Sequence, residues 1–591
     1  MPRDCAGRRA AALAVVAVVA LLMPACTQPS KPPAPTGQPG PTSATSLPTL
    51  DALRVGPDAA FVDAGPTGVR VAEGDDWTLP SWVRPASNSG FFSEDASLRD
   101  RVAVRSVDLT WRQLQPERGA ALDRAASATA QDMHFDGLDA QLAQPGDFWM
   151  RVFASGEDWA PTWVPQQCSV RTYGPDYDGQ RHLPIWNECV WDELLKSYRA
   201  LFIDSGLAAD PRLRFVYVPG AFTWAEYDYE MVTTAVEAGD LDQATYLAWY
   251  RHAWTDLVAL FGEHANKVVF TGEDYPFGPF GEADDLLAQQ AVEAGMGIRT
   301  GITELSNFHL NEAPAYGSRI EPNGHLVVDE SLPVHSGRYV LATENECFTD
   351  CGYHTDEPYY AVRQANLKAL QLRMNWVYIV PGPSYVAEYP EHWDWVRLSL
   401  GQTAGTSADA WAALRDAEDR YWVDNERGRF ADPGAWPTLP YVRNLERWLV
   451  QTDEPGSVAH RTAAEKRVHV LERDNGIAYE GLTTKVSAGD TGFVFEVDPR
   501  FAAAAGAEVV VKVTFLDRGA GAFAVRTASG STVDVKRSNS GTWRTATLAL
   551  PSVSLGAGSL PAGSSAPRLR VALADGADDL VVRFVRVVRQ G

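Results

Sequence analysis

Four segments of this chain place glutamate just beyond a short apolar, β-branched run. Glu226 follows Leu213–Val218 across Pro219, Gly220 and Trp224. Glu273 stands in Thr271-Gly272-Glu273-Asp274-Tyr275, Glu304 in Gly301-Ile302-Thr303-Glu304, and Glu344 and Glu346 in Thr343-Glu344-Asn345-Glu346. A single carboxylate in such a spot is ordinarily a solvated loop residue or a partner for arginine. Four in succession, delivered to one end of parallel strands, point to chemistry that uses carboxylates in pairs. Cleavage of a glycosidic bond needs two, one as acid/base and one as nucleophile or base. The aromatic residues fit the same reaction, because the apolar C–H faces of a sugar ring stack on indole and phenol rings. Trp159, Trp163, Tyr173, Tyr177 and Trp186 follow one strand, Trp224, Tyr227 and Tyr229 surround Glu226, and Tyr275, Phe277, Phe308, Tyr316 and Tyr385 follow later ones.

Other chemistries lack their signatures. There is no G-x-S-x-G elbow for a serine hydrolase, and no H-E-x-x-H cluster among the 11 histidines. Cys347, Cys351 and His354 are closely spaced, but no fourth ligand with matching spacing accompanies them, so no metal and no cofactor is expected. A net charge of −24 repels phosphate backbones and argues against a nucleic-acid partner.

The elements that must carry these residues alternate in type. Apolar runs at Val102–Leu109, Phe148–Phe153, Leu213–Val218, Lys267–Thr271, Ile298–Thr303, Arg338–Thr343 and Trp376–Val380 read as strands, and an eighth is expected within 55–100. Between them, Leu194, Leu195, Tyr198, Leu201 and Phe202 mark a helix face, as do Tyr246, Tyr250, Ala253, Leu257 and Phe261. Strands separated by helices imply parallel βα units, and eight such units fit an α/β fold of the (β/α)8 TIM-barrel type over residues 51–460. An open doubly wound sheet would carry a glycine-rich turn after its first strand, and no G-x-G-x-x-G or P-loop is present. Beyond Glu465 the helical periods stop. Runs such as Ala507–Leu516, Thr542–Leu550 and Leu580–Val588 lie between Gly, Ser, Asp and Pro turns, which reads as an all-β sandwich over 465–591. All but one of the 19 tryptophans, Trp543, lie before residue 465.

Two stretches then resemble a known family. Trp111-Arg112-Gln113-Leu114-Gln115-Pro116-Glu117-Arg118-Gly119 is similar to the W-x-x-L-x-P-x-x-G stretch after the second barrel strand of clan A glycoside hydrolases, including the β-galactosidase type. Ala160-Pro161-Thr162-Trp163 is similar to the Pro-x-Trp loop after their next strand. On that alignment Glu226 follows strand four and Glu344 follows strand seven, where the clan places its acid/base and its nucleophile, with retention of configuration. The chain departs from the clan at strand four, where Trp224-Ala225-Glu226 stands in place of Asn-Glu, and Asn345-Glu346 occurs after strand seven instead. Glu346 is therefore an alternative to Glu344 as the nucleophile. Trp111, Trp163, Trp224, Tyr227, Asn345 and Tyr385 are the expected substrate contacts, and on this assignment Glu273 and Glu304 bind sugar hydroxyls or support the catalytic pair. Val511–Asp517 and Gly541–Thr547 resemble carbohydrate-binding-type sandwiches, but the region holds only Trp543 and Tyr479 as stacking candidates besides phenylalanines, which favours a structural or weakly binding accessory domain.

The N-terminus reads as an address and a tether. Arg3, Arg8 and Arg9 precede the apolar run Ala10–Met23, and Leu22-Met23-Pro24-Ala25-Cys26 resembles a bacterial lipobox. Residues 1–25 are thus expected to be a signal peptide, Cys26 the lipidated residue, and the Pro/Ser/Thr-rich segment 26–50 a spacer. Export favours disulfides, and the shortest loops pair Cys168 with Cys189 and Cys347 with Cys351. The expected product is a glycoside hydrolase held by a lipid anchor on the extracellular face of a bacterial membrane, acting on a polysaccharide or oligosaccharide. The alternative is a catalytically inactive, glycan-binding surface lipoprotein on the same barrel.

Overall fold

In the computed structural model, residues 69–590 are described apart from 132, 177–178, 219–228, 272–281, 304–312, 346–347, 349–356, 383, 418–441, 463–465, 472–473, 506–508, 528–529, 533 and 551–566. Eight strands form one parallel sheet: β1 (Gly90–Phe92), β2 (Arg105–Thr110), β3 (Phe148–Phe153), β4 (Leu213–Val218), β5 (Val268–Thr271), β6 (Gly297–Thr300), β7 (Leu341–Asn345) and β8 (Trp376–Ile379). Each pairs with the next, β8 pairs with β1, and a single parallel bridge from Phe92 to Val104 brings β1 against the start of β2. The sheet is thus a nearly closed, TIM-like barrel, in which β1 is the short strand expected within 55–100.

Side chains alternate across a strand, so each strand divides its residues between the inside and the outside of the barrel. Phe92, Trp149, Phe215, Tyr217, Val269, Ala342, Trp376 and Tyr378 pack together inside. Val107, Leu109, Met150, Val152, Val216, Val218, Phe270, Ile298, Leu341, Val377 and Ile379 face outward into the main core with the helices. These helices are α1 (Glu188–Tyr198), α2 (Gln243–Phe261), α3 (Glu282–Ala294), α4 (Pro358–Gln371) and α5 (Pro390–Ser399). The Asn187 side chain caps α1 through the amides of Cys189 and Val190, and Asp242 caps α2 through Thr245. A helix between every pair of strands is not observed. Among the described residues, β1 and β2 are joined by a single 3-10 turn at Ala96–Leu98, and the β6–β7 connection holds 3-10 turns and the hairpin Ser318–Ile320/Leu326–Val328.

Two large antiparallel sheets, with a three-stranded one of Arg415–Ala417, Asp474–Glu480 and Lys466–Leu471, make the all-β part. One runs in the order Val69–Glu73, Trp543–Leu550, Val509–Leu516, Val581–Arg589, Asp409–Ala413, Leu445–Arg447, and the other in the order Leu449–Thr452, Gly492–Val497, Arg568–Leu573, Ala522–Thr527, Gly530–Ser531. These sheets reach outside 465–591, because they take in Val69–Glu73 and strands from 409–452. The reason is again alternation: Ala410 and Ala412 face the sandwich interior, while Trp411, Ala413 and Phe584 face the core shared with the barrel helices. A sheet buried on both faces needs partners on both, and Trp77 and Trp395 supply the second side against Phe584, at ring-centroid distances of 5.3 and 6.3 Å.

Glu330, in the β6–β7 connection, ties the two parts together. It accepts from Arg373 Nε at 2.7 Å and Trp448 Nε1 at 2.7 Å through one oxygen, and pairs with Arg500 at 3.0 Å through the other. Burial by itself raises the pKa of this carboxyl; Arg373, Trp448 and Arg500 outweigh it and hold it at about 2. Because the folded pKa lies below the unfolded one, the stabilisation is complete above about 4.5 and is lost as pH falls toward 2. Glu330→Gln is therefore expected to cost about 2–3 kcal/mol at pH 6 and much less near pH 2.5. Denaturant unfolding of both proteins at the two pH values checks this, and an equal difference at both would refute it.

Candidate functional site

Alternation inside the barrel gathers a polar layer near the carboxyl ends of the strands. Asp108 on β2, Arg151 on β3, Tyr217 on β4, Arg299 on β6, Glu344 on β7 and Tyr378 on β8 occupy inward positions, since their strand neighbours Val107, Val152, Val216, Ile298 and Val377 belong to the outer core. Glu94, two residues past β1, joins them. Glu344 lies within β7 rather than after it, beside Tyr378 in register. Its carboxylate meets Arg299 at 2.7 Å, with side-chain exposures of 5% and 0%. Arg299 Nε donates to the Tyr217 hydroxyl at 3.3 Å.

A second arm lies across the layer. Arg151 grips Asp108 through Nε at 2.8 Å and through a terminal nitrogen at 3.0 Å, and approaches Glu94 at 3.4 Å. The Tyr378 hydroxyl donates to Glu94 at 2.7 and 2.9 Å, the two carboxylate oxygens sharing one proton. Desolvation pulls the Arg151 pKa down but is outweighed by Asp108 and Glu94, so the net shift is upward. Burial pushes the Tyr217 and Tyr378 phenols above their ordinary range, and Glu94 adds to the rise at Tyr378. The layer therefore combines fixed guanidinium charges, carboxylates and neutral phenols. Such an arrangement can hold a carboxylate ionised and aimed, which is what nucleophilic or electrostatic catalysis requires.

The other sequence-predicted site residues divide into three groups. Glu226, Trp224, Tyr227, Glu273, Glu304, Glu346, Cys347 and Cys351 lie outside the described residues, as do Cys26 and the segments 1–25 and 26–50. Trp111 and Asn345 are structural in placement. Thr110 and Gln113 form a capping box that starts the short helix Trp111–Leu114, and Trp111 is fully buried with its indole N–H on Ser197 at 2.8 Å. It has no free face for a sugar to stack on. Asn345 points opposite to Glu344, accepting from Thr303 at 2.9 Å and donating to Asn366 of α4 at 2.9 Å, so it braces β7 to its neighbours. Trp163 and Tyr385 remain partly exposed. Trp163 packs edge-on against Trp111 and donates to the Gln115 carbonyl at 3.3 Å. Arg112 also donates to the Ala160 carbonyl at 2.8 Å, so the two stretches that carry the family resemblance touch each other. Tyr385, in the loop after β8, adopts the left-handed region at φ 56° and lies near-parallel to Tyr389. That conformation strains a residue with a Cβ and is held by its neighbours.

Sequence reading missed Glu94, Asp108, Arg151, Tyr217, Arg299 and Tyr378. The signal was available for the residues within strands, as a charged or phenolic residue at an inward position of a strand otherwise apolar. Sequence reading also missed a Ser-His-Asp relay. The His182 Nε2 meets Asp176 at 2.8 Å, and Nδ1 meets the Ser155 hydroxyl at 2.9 Å. All three are buried, so the relay serves as a brace inside the long loop after β3.

The loop is closed by the Cys168–Cys189 disulfide, as expected from the sequence, with a separation of 21 residues. Cross-linking a loop of this length restricts the unfolded chain by about 3 kcal/mol. Cys168→Ser combined with Cys189→Ser is expected to lower stability by about that amount in denaturant unfolding. An unchanged midpoint and slope would show that the cross-link contributes nothing.

No family profile and no curated protein matches this chain. Among solved structures, the glycoside hydrolase domain of Endo-D from Streptococcus pneumoniae R6 aligns over 93% of this chain and 83% of its own, at 9% identity and a TM-score of 0.20. A likeness of that size carries no weight for fold or chemistry, which rest on this chain's own geometry.

Proposed function

We propose that this protein is a glycoside hydrolase whose TIM-like (β/α)8 barrel carries Glu344 as nucleophile and Glu226 as acid/base. The observation that carries the reading is Glu344 itself: a buried carboxylate on the inner face of β7, near the carboxyl end of a parallel barrel, ion-paired with Arg299. Barrel enzymes assemble their chemistry at that end. A carboxylate paired there with a guanidinium suits attack on an anomeric carbon, and a second carboxyl must protonate the leaving oxygen. Two carboxyl groups about 5–5.5 Å apart give retention and about 6.5–9.5 Å inversion. Trp163, at the start of the short helix Trp163–Cys168, and Tyr385, in the loop after β8, are both partly exposed and are proposed to contact sugar. The all-β part is proposed to act as an accessory domain, and the chain to be exported and lipid-anchored through Cys26 on the outer face of the membrane.

The test is to incubate the soluble chain from about residue 50 onward with polysaccharides and aryl glycosides and to measure released reducing ends. Release that vanishes in Glu344→Gln supports the reading. Glycan binding without hydrolysis across a broad panel would replace it with the non-catalytic alternative.

A further inference from the structure

Arg299 is held by contacts from three strands. Its guanidinium carbon lies 5.4 Å from the Tyr217 ring centroid and 5.3 Å from that of Tyr378, while its terminal nitrogen meets Glu344. Tyr378 is fixed in turn, because its hydroxyl is bound to Glu94, and Glu94 meets an Arg151 that Asp108 clamps with two bonds. A continuous run of contacts therefore crosses the barrel from β2 and β3, through the residue after β1, to β8, β6 and β7. Arginine keeps its proton, so its planar guanidinium stands beside Glu344 as a fixed charge, meeting the carboxylate at 2.7 Å through one terminal nitrogen and the Tyr217 hydroxyl through Nε. The rings of Tyr217 and Tyr378 pack against that guanidinium, and burial of both Arg299 and Glu344 strengthens the attraction between them.

We propose that Arg299 is the positioning residue for Glu344, and that Tyr378, anchored by Glu94 and Arg151, sets the orientation of Arg299. This rests on the glycosidase reading and adds a division of labour to it. Glu344 works as the anionic member of the catalytic pair, and the proton for the leaving oxygen comes from another carboxyl. The groups facing Glu344 support that division: Arg299 from β6 is its direct partner, Tyr378 from β8 is its register neighbour, and Tyr217 from β4 reaches it through Arg299. The Glu94–Arg151–Asp108 arm stands behind Tyr378, where Arg151 pairs with both Glu94 and Asp108.

Two readouts separate this proposal from the reading on which it rests. The first needs no turnover: the carboxylate stretch of Glu344, taken as the infrared difference between each protein and its Glu344→Gln counterpart, is followed against pH in wild type, Arg299→Met and Tyr378→Phe. Removing the adjacent guanidinium is expected to move protonation of Glu344 to higher pH, strongly in Arg299→Met and weakly in Tyr378→Phe. Identical titration in all three would overturn the proposal. The second readout uses any glycoside that the wild type hydrolyses. Arg299→Lys, which retains a charge and so keeps the fold if Arg299→Met does not, is expected to lower kcat about 100-fold with KM nearly unchanged and to shift the acid limb of the pH profile upward. Tyr378→Phe is expected to lower kcat about 10-fold in the same pattern. A raised KM with kcat and pH profile unmoved would overturn the proposal. If the wild type hydrolyses nothing, the glycosidase reading fails while the infrared titration still decides the role of Arg299.

Discussion

Glu344→Gln is expected to reduce glycoside hydrolysis by about 10³-fold or more, and Glu226→Gln by about 10²–10⁴-fold with leaving groups that need protonation. The two losses should differ in kind. Removing a nucleophile slows every substrate, whereas removing an acid spares aryl glycosides whose leaving oxygen departs without a proton. An added small anion such as azide should restore turnover to Glu344→Ala by attacking the vacated face, and the sugar product should then carry the opposite anomeric configuration. Glu344→Gln also leaves Arg299 facing a neutral amide in a buried site, so circular dichroism must show that the barrel is intact before the rate is interpreted. Unchanged turnover in both glutamine variants would remove the assignment altogether. Azide rescue of Glu226→Ala that yields the inverted glycosyl azide, with no such product from Glu344→Ala, would exchange their roles.

Asp75→Ala is expected to destabilise the whole chain by about 3–5 kcal/mol, the largest structural effect that a single substitution here should produce. Asp75 lies between the strand Val69–Glu73, which belongs to the C-terminal sheet, and the barrel that follows it. Its carboxylate pairs with Arg583 at 2.8 Å, accepts from Tyr359 at 2.6 Å and faces Arg363 of α4 at 3.8 Å. Glu480 bonds Arg363 at 2.6 Å and stands 3.9 Å from Arg583. With Asp75 removed, two buried guanidinium groups share the Glu480 carboxylate. Burial raises the Asp75 pKa, but Arg583, Arg363 and Tyr359 outweigh it, and the net shift is downward. The contribution is therefore present above its unfolded pKa near 3.8 and fades as pH falls below that value. Urea unfolding at pH 7 and at pH 3 should show the Ala variant approaching wild type at the lower pH. A related expectation follows for truncation. A chain ending near residue 460 loses Glu480, Lys512, Arg583 and Arg586, the partners of Asp75, Asp76, Arg363 and Asp409, and should not fold cooperatively by itself. A sharp unfolding transition for that fragment, at the wild-type temperature, would show that the all-β part is dispensable.

These two predictions draw on different levels of information. The strands that carry the site were legible because a buried strand announces itself as a short apolar run: Phe148–Phe153 and Leu213–Val218 fall where the sequence placed them. The Cys168–Cys189 disulfide was legible because it closes one of the two shortest loops that the four cysteines beyond residue 50 can make. The role of Trp111 was not. A tryptophan in a loop motif has one appearance in sequence whether it faces sugar or protein, and only the hydroxyl of Ser197, 86 residues away, settles that its indole points into the core. Asn345 was misleading for a related reason. Its neighbour Glu344 suggested shared function, but adjacent residues on a strand face opposite ways, and Asn345 reaches α4 while Glu344 reaches Arg299. The sheets' reach into 409–452 was not legible in the sequence. Membership of those strands in the C-terminal sheets depends on backbone pairing across more than 100 residues, such as Asp409 with Val588.

By itself, the sequence determined seven of the eight barrel strands, the stretch in which the eighth would lie, and the placing of a glutamate at the end of Arg338–Thr343. These are local properties: periodicity, apolar runs and turn residues act within a few positions of one another. Tertiary structure alone decided which charges meet. Arg299 and Glu344 are separated by 45 positions, and Glu94 and Tyr378 by 284, yet each pair lies within hydrogen-bond distance once neighbouring strands are in register. Ion pairing is set by distance and by exclusion of water, and neither quantity exists until the sheet has curled toward closure and buried the inner faces of its strands.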